Sequence, residues 1–344
     1  MLLRVLRILR PATSALLLVL VLGSAPVGST AAEDGGEFFR GKAITYLVGN
    51  KPGGGYDLYA RLIARHLPHH LPVERVVVMN VPGAGGRRAL NRLWEEPPDG
   101  LHIATFNTGM TYAQAAGLDN IRFDLRKFSW IGKAGGEPRV FVVSTRSGVR
   151  DVAALRDREK PLILATSGIG ATSHTEAALL AHLLGLDVRL VTGYSGGGKL
   201  MALVRGDVDG YVGSYSSLRG LIEASDAHVL FRVAGVGDVG VAAPSTTELV
   251  DHPDSARLVP LLEVNADLLR MTVAPPGMHP DRLEVLRVAY LQTLADPALL
   301  AEAEKLRIPI APLGGEELAR RVDEALDVDP ETAALLARLS ARTK

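Results

Sequence analysis

Ser195 lies in Gly193-Tyr194-Ser195-Gly196-Gly197, a G-x-S-x-G arrangement. In a nucleophile elbow that spacing sets a serine hydroxyl on a sharp turn between a strand and a helix. Asp226, followed by His252 or His279, supplies the chain order such a triad needs. An exported serine hydrolase is therefore the enzyme reading to weigh. The oxyanion-type HGG motif is missing, and the expectation is a protein that is not an enzyme. The same stretch nearly fits a phosphate-binding loop: Gly193, four residues, Gly198, Lys199. Leu200 then stands where Ser or Thr would hold magnesium. His69-His70 lies between prolines and is a poor metal motif on its own. No metal and no cofactor are expected.

These residues belong to a repeating pattern. A short β-rich run leads through a glycine-bearing loop into a helical stretch. Ala43–Gly49 leads through Pro52-Gly53-Gly54-Gly55 into Asp57–Leu67, and Arg75–Asn80 through Pro82-Gly83-Ala84-Gly85-Gly86 into Arg87–Trp94. Leu101–Phe106 leads through Asn107-Thr108-Gly109 into a short helix. Leu162–Thr166 leads through Ser167-Gly168-Ile169-Gly170 into Ser173–Leu184, and Val188–Thr192 through the Gly193 loop into a helix ending near Arg205. Asp209–Gly213 leads through Ser214-Tyr215 into another. Strands alternating with helices predict an α/β fold with mainly parallel sheets flanked by helices. Phe141–Ser144 and Met271–Ala274 are the runs that could cross between two such units. Domain one is read as 37–137 plus 265–344, and domain two as 138–264. The last helix, from about Pro330, is expected to pack on a domain surface.

In open α/β sheets, ligands sit beyond the carboxyl ends of the strands, where each of these loops lies. Glycine lets the backbone approach a ligand closely. The helix that follows offers unpaired N–H groups and a partial positive charge, which suits an anion. One such loop is only a tight turn; several in two clusters predict a binding cleft. Position at a strand end adds Asn107, Ser214 and Tyr215 to the candidates.

The motifs occur in a familiar order. Asn50-Lys51-Pro52-Gly53-Gly54-Gly55-Tyr56-Asp57 resembles the PGGGxD loop of tripartite tricarboxylate transporter substrate-binding proteins, the Bug family. Val77–Asn80 with Val81-Pro82-Gly83-Ala84-Gly85-Gly86 resembles its VENRPGAGG, and Pro98-Asp99-Gly100 its PDG. Thr166–His174 resembles SPGVGSPSH, Tyr194-Ser195-Gly196-Gly197 resembles YKGG, and Gly206-Asp207-Val208-Asp209 resembles GQVD. The resemblance runs from about residue 42 to 215 and more weakly beyond. Val81, Ala171 and Ser195 stand where the family has Arg, Ser and Lys, which marks a divergent branch.

The resemblance implies a two-domain clamp of the periplasmic-binding-protein kind. It would close on a small organic carboxylate held by backbone N–H groups, small hydroxyls and water. It would then deliver that acid to membrane permease subunits of a secondary transporter. By the same resemblance Gly54, Gly55, Tyr56 and Asp57 form one wall, and Ser167, Thr172, Tyr194, Ser195, Gly196 and Gly197 the other. Asp57 would repel a carboxylate, so it either caps its helix or selects a ligand bearing an ammonium group. His174 is expected to be a packing histidine. Arg87, Arg88, Arg139 and Lys199 are the cations that could offset ligand charge.

Composition agrees with an exported binding protein. The 344 residues are 47% hydrophobic, enough for a sizeable core. Arg4, Arg7 and Arg10 precede an apolar run from Ala15 to about Val27, followed by Ser29, Thr30, Ala31 and Ala32. That is the order of a secretory signal, read as residues 1–32 and cleaved near Ala31 or Ala32; an uncleaved anchor is the alternative. A periplasmic location follows. There is no cysteine, so no disulfide, thiolate metal site or lipidated cysteine is possible. Without the three arginines of the signal, 35 basic residues face 38 acidic ones, which disfavours nucleic acid as a partner. The protein is expected to be a monomer.

Overall fold

The computed structural model describes residues 35–194, 196–234 and 242–341 of the chain. The expected signal segment, 1–32, and Ser195 lie outside the described residues. The strands are β1 (Ala43–Val48), β2 (Arg75–Asn80), β3 (His102–Thr105), β4 (Ser129–Lys133), β5 (Arg139–Ser144), β6 (Leu162–Ala165), β7 (Val188–Val191), β8 (Gly210–Ser214), β9 (Ala227–Ala234), β10 (Met271–Ala274) and β11 (Leu313–Gly314). They form two sheets, in the orders β11-β4-β10-β3-β1-β2 and β7-β6-β8-β5-β9. The chain is thus an α/β protein of two lobes, each with its own sheet.

The sheets are mixed. β1 pairs in parallel with β2 and β3, and β6 with β7 and β8. β10 is antiparallel to β3 and β4, and β5 to β8 and β9. The physical reason is the direction of entry. β5 and β10 are the first strands after the chain passes from one lobe to the other. They enter at the cleft, where the parallel strands end, and so run the opposite way.

Register places the loops. Val48 lies opposite Asn80 and Thr105, so β1, β2 and β3 finish level and their loops emerge side by side. Ala165 lies opposite Val191 and Tyr211 in the second sheet, with the same effect.

The helices are α1 (Gly55–His66), α2 (Arg87–Trp94), α3 (Gly109–Ala115), α4 (Val152–Arg156), α5 (Thr172–Leu184), α6 (Gly197–Arg205), α7 (Tyr215–Glu223), α8 (Thr246–Leu249), α9 (Ser255–Asp267), α10 (Pro280–Ala295), α11 (Pro297–Lys305), α12 (Gly315–Leu326) and α13 (Pro330–Ser340). They cover both faces of each sheet. Leu62 and Ile63 of α1, Tyr290 of α10 and Leu299 of α11 fill one face of the first sheet. Leu90 of α2, Met110 of α3 and Leu318 of α12 fill the other. Leu179 and Leu180 of α5 and Leu258 of α9 cover the second sheet, with Leu203 of α6 and Leu218 of α7 opposite.

α13 does not rest on the first lobe with α12. Leu335, Leu336 and Leu339 join the core of the second lobe, so the chain passes between lobes a third time, near Asp327–Asp329. Tyr112 of α3 enters the same core. No helix among the described residues is long and apolar enough to cross a membrane.

Candidate functional site

A cavity opens where the strand-end loops of the two lobes face each other. It holds about 590 Å³ of atom-free space, part of it open to solvent. Gly54, Gly55, Tyr56 and Asn107 line it from the first lobe; Ser167, Thr172, Gly196 and Ser214 line it from the second. These eight are among the residues picked from sequence. Asp57, Tyr194, Gly197 and Tyr215 were picked with them but do not line it.

Each of those four is engaged elsewhere or turned away. The Asp57 carboxylate accepts from the Gly53 N–H at 2.9 Å, from Asn80 Nδ2 at 2.9 Å and from Arg61 Nε at 3.0 Å. It ties the first turn of α1 to the loop before it. Burial alone would raise its pKa, but Arg61, the Gly53 N–H and Asn80 outweigh burial and hold it below the ordinary value. The Tyr194 N–H donates to the Thr166 carbonyl at 3.0 Å, and its side chain packs against the second-lobe cluster that includes Leu203 and Tyr211. Gly197 is the exposed first residue of α6. The Tyr215 N–H donates to the Pro138 carbonyl, and its ring lies under Arg219.

The charged side chains that line the cavity are Arg139, Lys199 and Arg270, and no carboxylate lines it among the described residues. Arg139 and Arg270 come from segments that join the lobes. Arg139 is 5% exposed and Glu176, on α5, 0%. Arg139 Nε donates to Glu176 Oε2 at 2.7 Å and Nη1 to Ser214 Oγ at 3.4 Å. Burial disfavours the Arg139 cation, but Glu176 more than offsets this and raises its pKa. Burial also pushes the Glu176 carboxyl up, against the pull of Arg139.

Arg270 Nη2 donates to Glu137 Oε1 at 3.2 Å, and both residues are buried. Glu137 also accepts the Ser216 N–H at 2.8 Å, which caps the first turn of α7. The Arg270 guanidinium lies 4.4 Å from the Tyr56 ring centre and 4.9 Å from that of Tyr59, so it is held by cation–π contact on two sides. Arg270 Nε and Asn50 Oδ1, both from cavity-lining residues, are buried without a partner.

Glycines make this arrangement possible. A Cβ on Gly55 would lie 2.6 Å from Arg270 Nη2, and one on Gly135 2.8 Å from Arg270 Cγ. The PGGG loop therefore makes room for a buried cation. Gly109 serves the junction of the lobes: its Cβ would lie 2.3 Å from the Thr172 nitrogen. Its N–H donates to Thr172 Oγ1 at 2.7 Å, and Thr172 Oγ1 donates to Asn107 Oδ1 at 3.1 Å. Asn107 Oδ1 also accepts the Thr172 N–H, so the first lobe caps the opening turn of α5. The first turns of α1 and α6, at Gly54 and Gly196, have no side-chain cap. Their N–H groups add partial positive charge to the cavity wall.

Other sequence candidates fall away from the cavity. Lys199 is the exception: it lines the cavity, and its Nζ donates to Tyr211 Oη at 2.5 Å, which fixes it over the second-lobe wall. Arg87 is in contact range of the Gly170 backbone rather than the cavity, and Arg88 packs against Gly83. His174 is fully buried and bonds to Thr166 and to the Ser340 carbonyl. Of the possible triad histidines, His252 lies against His182 and Asp254, and His279 beside Asp281.

Sequence reasoning missed Arg270, Glu137, Glu176, Tyr211 and Ser217. Only Arg139 and Lys199 carried a sequence signal as cations near a loop.

Comparisons with known proteins agree with this architecture. The model of the tripartite tricarboxylate transporter family receptor matches residues 59–308. The UPF0065 protein in the tcbD-tcbE intergenic region of Pseudomonas sp. (strain P51) is 29% identical over 293 residues, covering 82% of each chain. The periplasmic binding protein BugD superposes with a TM-score of 0.71 at 21% identity, covering 87% of this chain and 97% of that one. MatC from Rhodopseudomonas palustris, solved with bound malate, gives 0.70 at 21% identity, covering 87% and 99%. With a two-lobe fold, a cavity at the lobe junction and a family match over most of its length, this chain belongs to the tripartite tricarboxylate transporter receptor family.

Proposed function

We propose that the protein is a periplasmic solute receptor that captures a small organic acid between its lobes and hands it to a membrane transporter. The observation that carries the ligand class is the charge of the cavity: among the described residues three cations line it, no carboxylate does, and two helix N-termini are left open around it. Glu137 and Glu176 hold the arginines from behind, so the pairs are balanced and Lys199 supplies the excess positive charge. An acid gains charge-assisted hydrogen bonds there. Among the described residues an ammonium group finds no counter-charge in the cavity lining, and the Asp57 carboxylate is spent on Gly53, Asn80 and Arg61.

Family membership supports the receptor role and the transporter partner. Capture is reversible and breaks no covalent bond. Thermal unfolding of the mature protein with malate, adipate, benzoate, agmatine and cadaverine at millimolar concentration tests the reading. At about 100 times its Kd a bound acid stabilises by ~2.7 kcal/mol. An acid-dependent rise in Tm, with none for the two amines alone as chlorides, is expected. No shift with any acid overturns the ligand class. N-terminal sequencing of the exported protein is expected to begin near Glu33.

A further inference from the structure

A cluster of imidazoles and carboxylates lies on the first lobe, at the far end of α1 from the cavity. His66 ends α1, and His69 follows in a single tight turn. Asp296 caps α11 from the other side, its Oδ1 accepting the Ala298 N–H at 2.8 Å. One donor atom each from His66, His69 and Asp296 lies within 4.8 Å of the others.

The hydrogen bonds around the cluster fix which atoms are available. His66 Nε2 lies 2.9 Å from Glu302 Oε2, and Glu302 is also paired with Arg65. A carboxylate so paired only accepts, so Nε2 carries the proton. Nδ1 of His66 is then the bare nitrogen, and it is buried with no partner. His66 itself is only 8% exposed. His70 Nε2 bonds to Asp296 Oδ2 at 2.9 Å and orients that carboxylate. His69 Nδ1 stands 3.9 Å from the same oxygen, beyond hydrogen-bond range. A divalent cation with bonds of about 2 Å on each side spans such a gap.

We propose that His66, His69 and Asp296 bind a divalent first-row transition metal ion, with zinc as the natural probe. Glu302 and His70 act as positioning residues behind the ligands, in the carboxylate–histidine–metal pattern. Two imidazoles and one carboxylate suit zinc, and His69, exposed at the surface, gives the ion a way in and leaves a fourth position open. Ligands from residues 66–69 and from 296 clasp α1 to α11, a cross-link that a chain without cysteine cannot make by disulfide.

A second cluster, His182 with His252 and Asp254, is a weaker candidate. His252 Nδ1 accepts the Asp254 N–H, His182 Nε2 bonds to Asp254, and no donor there is both buried and without a partner.

The test is calorimetric titration of zinc chloride into the full mature protein, free of any histidine tag, with cobalt(II) absorption as the geometric readout. The wild type is expected to bind one equivalent with a tetrahedral cobalt spectrum. His69→Ala and Asp296→Asn are expected to lose that equivalent while keeping the acid-dependent thermal shift. Glu302→Gln is expected to weaken zinc by about tenfold. His252→Ala is expected to leave binding unchanged. No zinc binding by the wild type, or equal binding by His69→Ala, overturns the proposal. Either result leaves the cavity reading untouched, since the two sites are separated by the length of α1, roughly 18 Å at 1.5 Å per residue.

Discussion

Arg270 holds a left-handed backbone, φ +64°, which is uncommon for a residue with a side chain. That conformation lets the guanidinium reach back between Tyr56 and Tyr59 and meet Glu137. Lysine keeps the charge but not the flat face or the forked donors. Arg270→Lys is therefore expected to weaken acid binding by about tenfold, or ~1.4 kcal/mol, read by calorimetry. Arg139→Ala strands Glu176, which is fully buried, and is expected to cost about 3–5 kcal/mol in chemical denaturation. Asp57 is engaged by Gly53, Asn80 and Arg61, and its effect is expected on stability. Its folded pKa lies below the ordinary 3.8, so its contribution is present above that pH and is lost as pH falls through the folded value. Asp57→Asn is expected to cost about 1–2 kcal/mol at neutral pH, with the difference from wild type shrinking below about pH 4.

At the scale of elements, local pattern carried much of the fold. The runs at Ala43–Gly49, Arg75–Asn80 and Leu162–Thr166 became β1, β2 and β6, because β-branched and aliphatic residues give way in each to a loop of glycine, proline and small polar residues. The helices from Pro280, Pro297 and Gly315 begin at residues suited to a first turn, two of them at proline. The glycine loops pointed to the cavity, yet their reasons were hidden. Gly55 makes way for Arg270, far along the chain, and Gly109 makes way for Thr172 across the lobes. The Arg270–Glu137 pair spans 133 positions, so no spacing rule could reveal it. The antiparallel entry of β5 and β10 and the return of α13 depend on three-dimensional direction, which hydrophobic period does not encode. Gly109→Ala tests the junction. The backbone of Gly109 is not left-handed and alanine favours the helix, but the added Cβ meets Thr172 backbone. A loss of about 1–3 kcal/mol and a larger radius of gyration by small-angle scattering are expected.

For the whole molecule, three passages of chain connect the lobes, and α13 anchors the third. Leu336 is fully buried in the second-lobe core. Leu336→Ala is expected to cost about 2–5 kcal/mol and to release hydrogen-exchange protection in α3 and α5 before the first sheet. On the proposed receptor reading, the lobes are expected to rotate about this shared region and to part at the Gly54–Gly196 side. Arg139 and Arg270 belong to that region, so they sit near the axis, where a rotation displaces atoms least. On the same reading, a head group docked on them would be held before the lobes swing together. The rest of the molecule meets its surroundings only as the rim arrives. Recognition would then be divided in time, with charge sampled on arrival and length and shape judged during closure. Acids of one head group but different tails should associate at similar rates and differ in how long they stay.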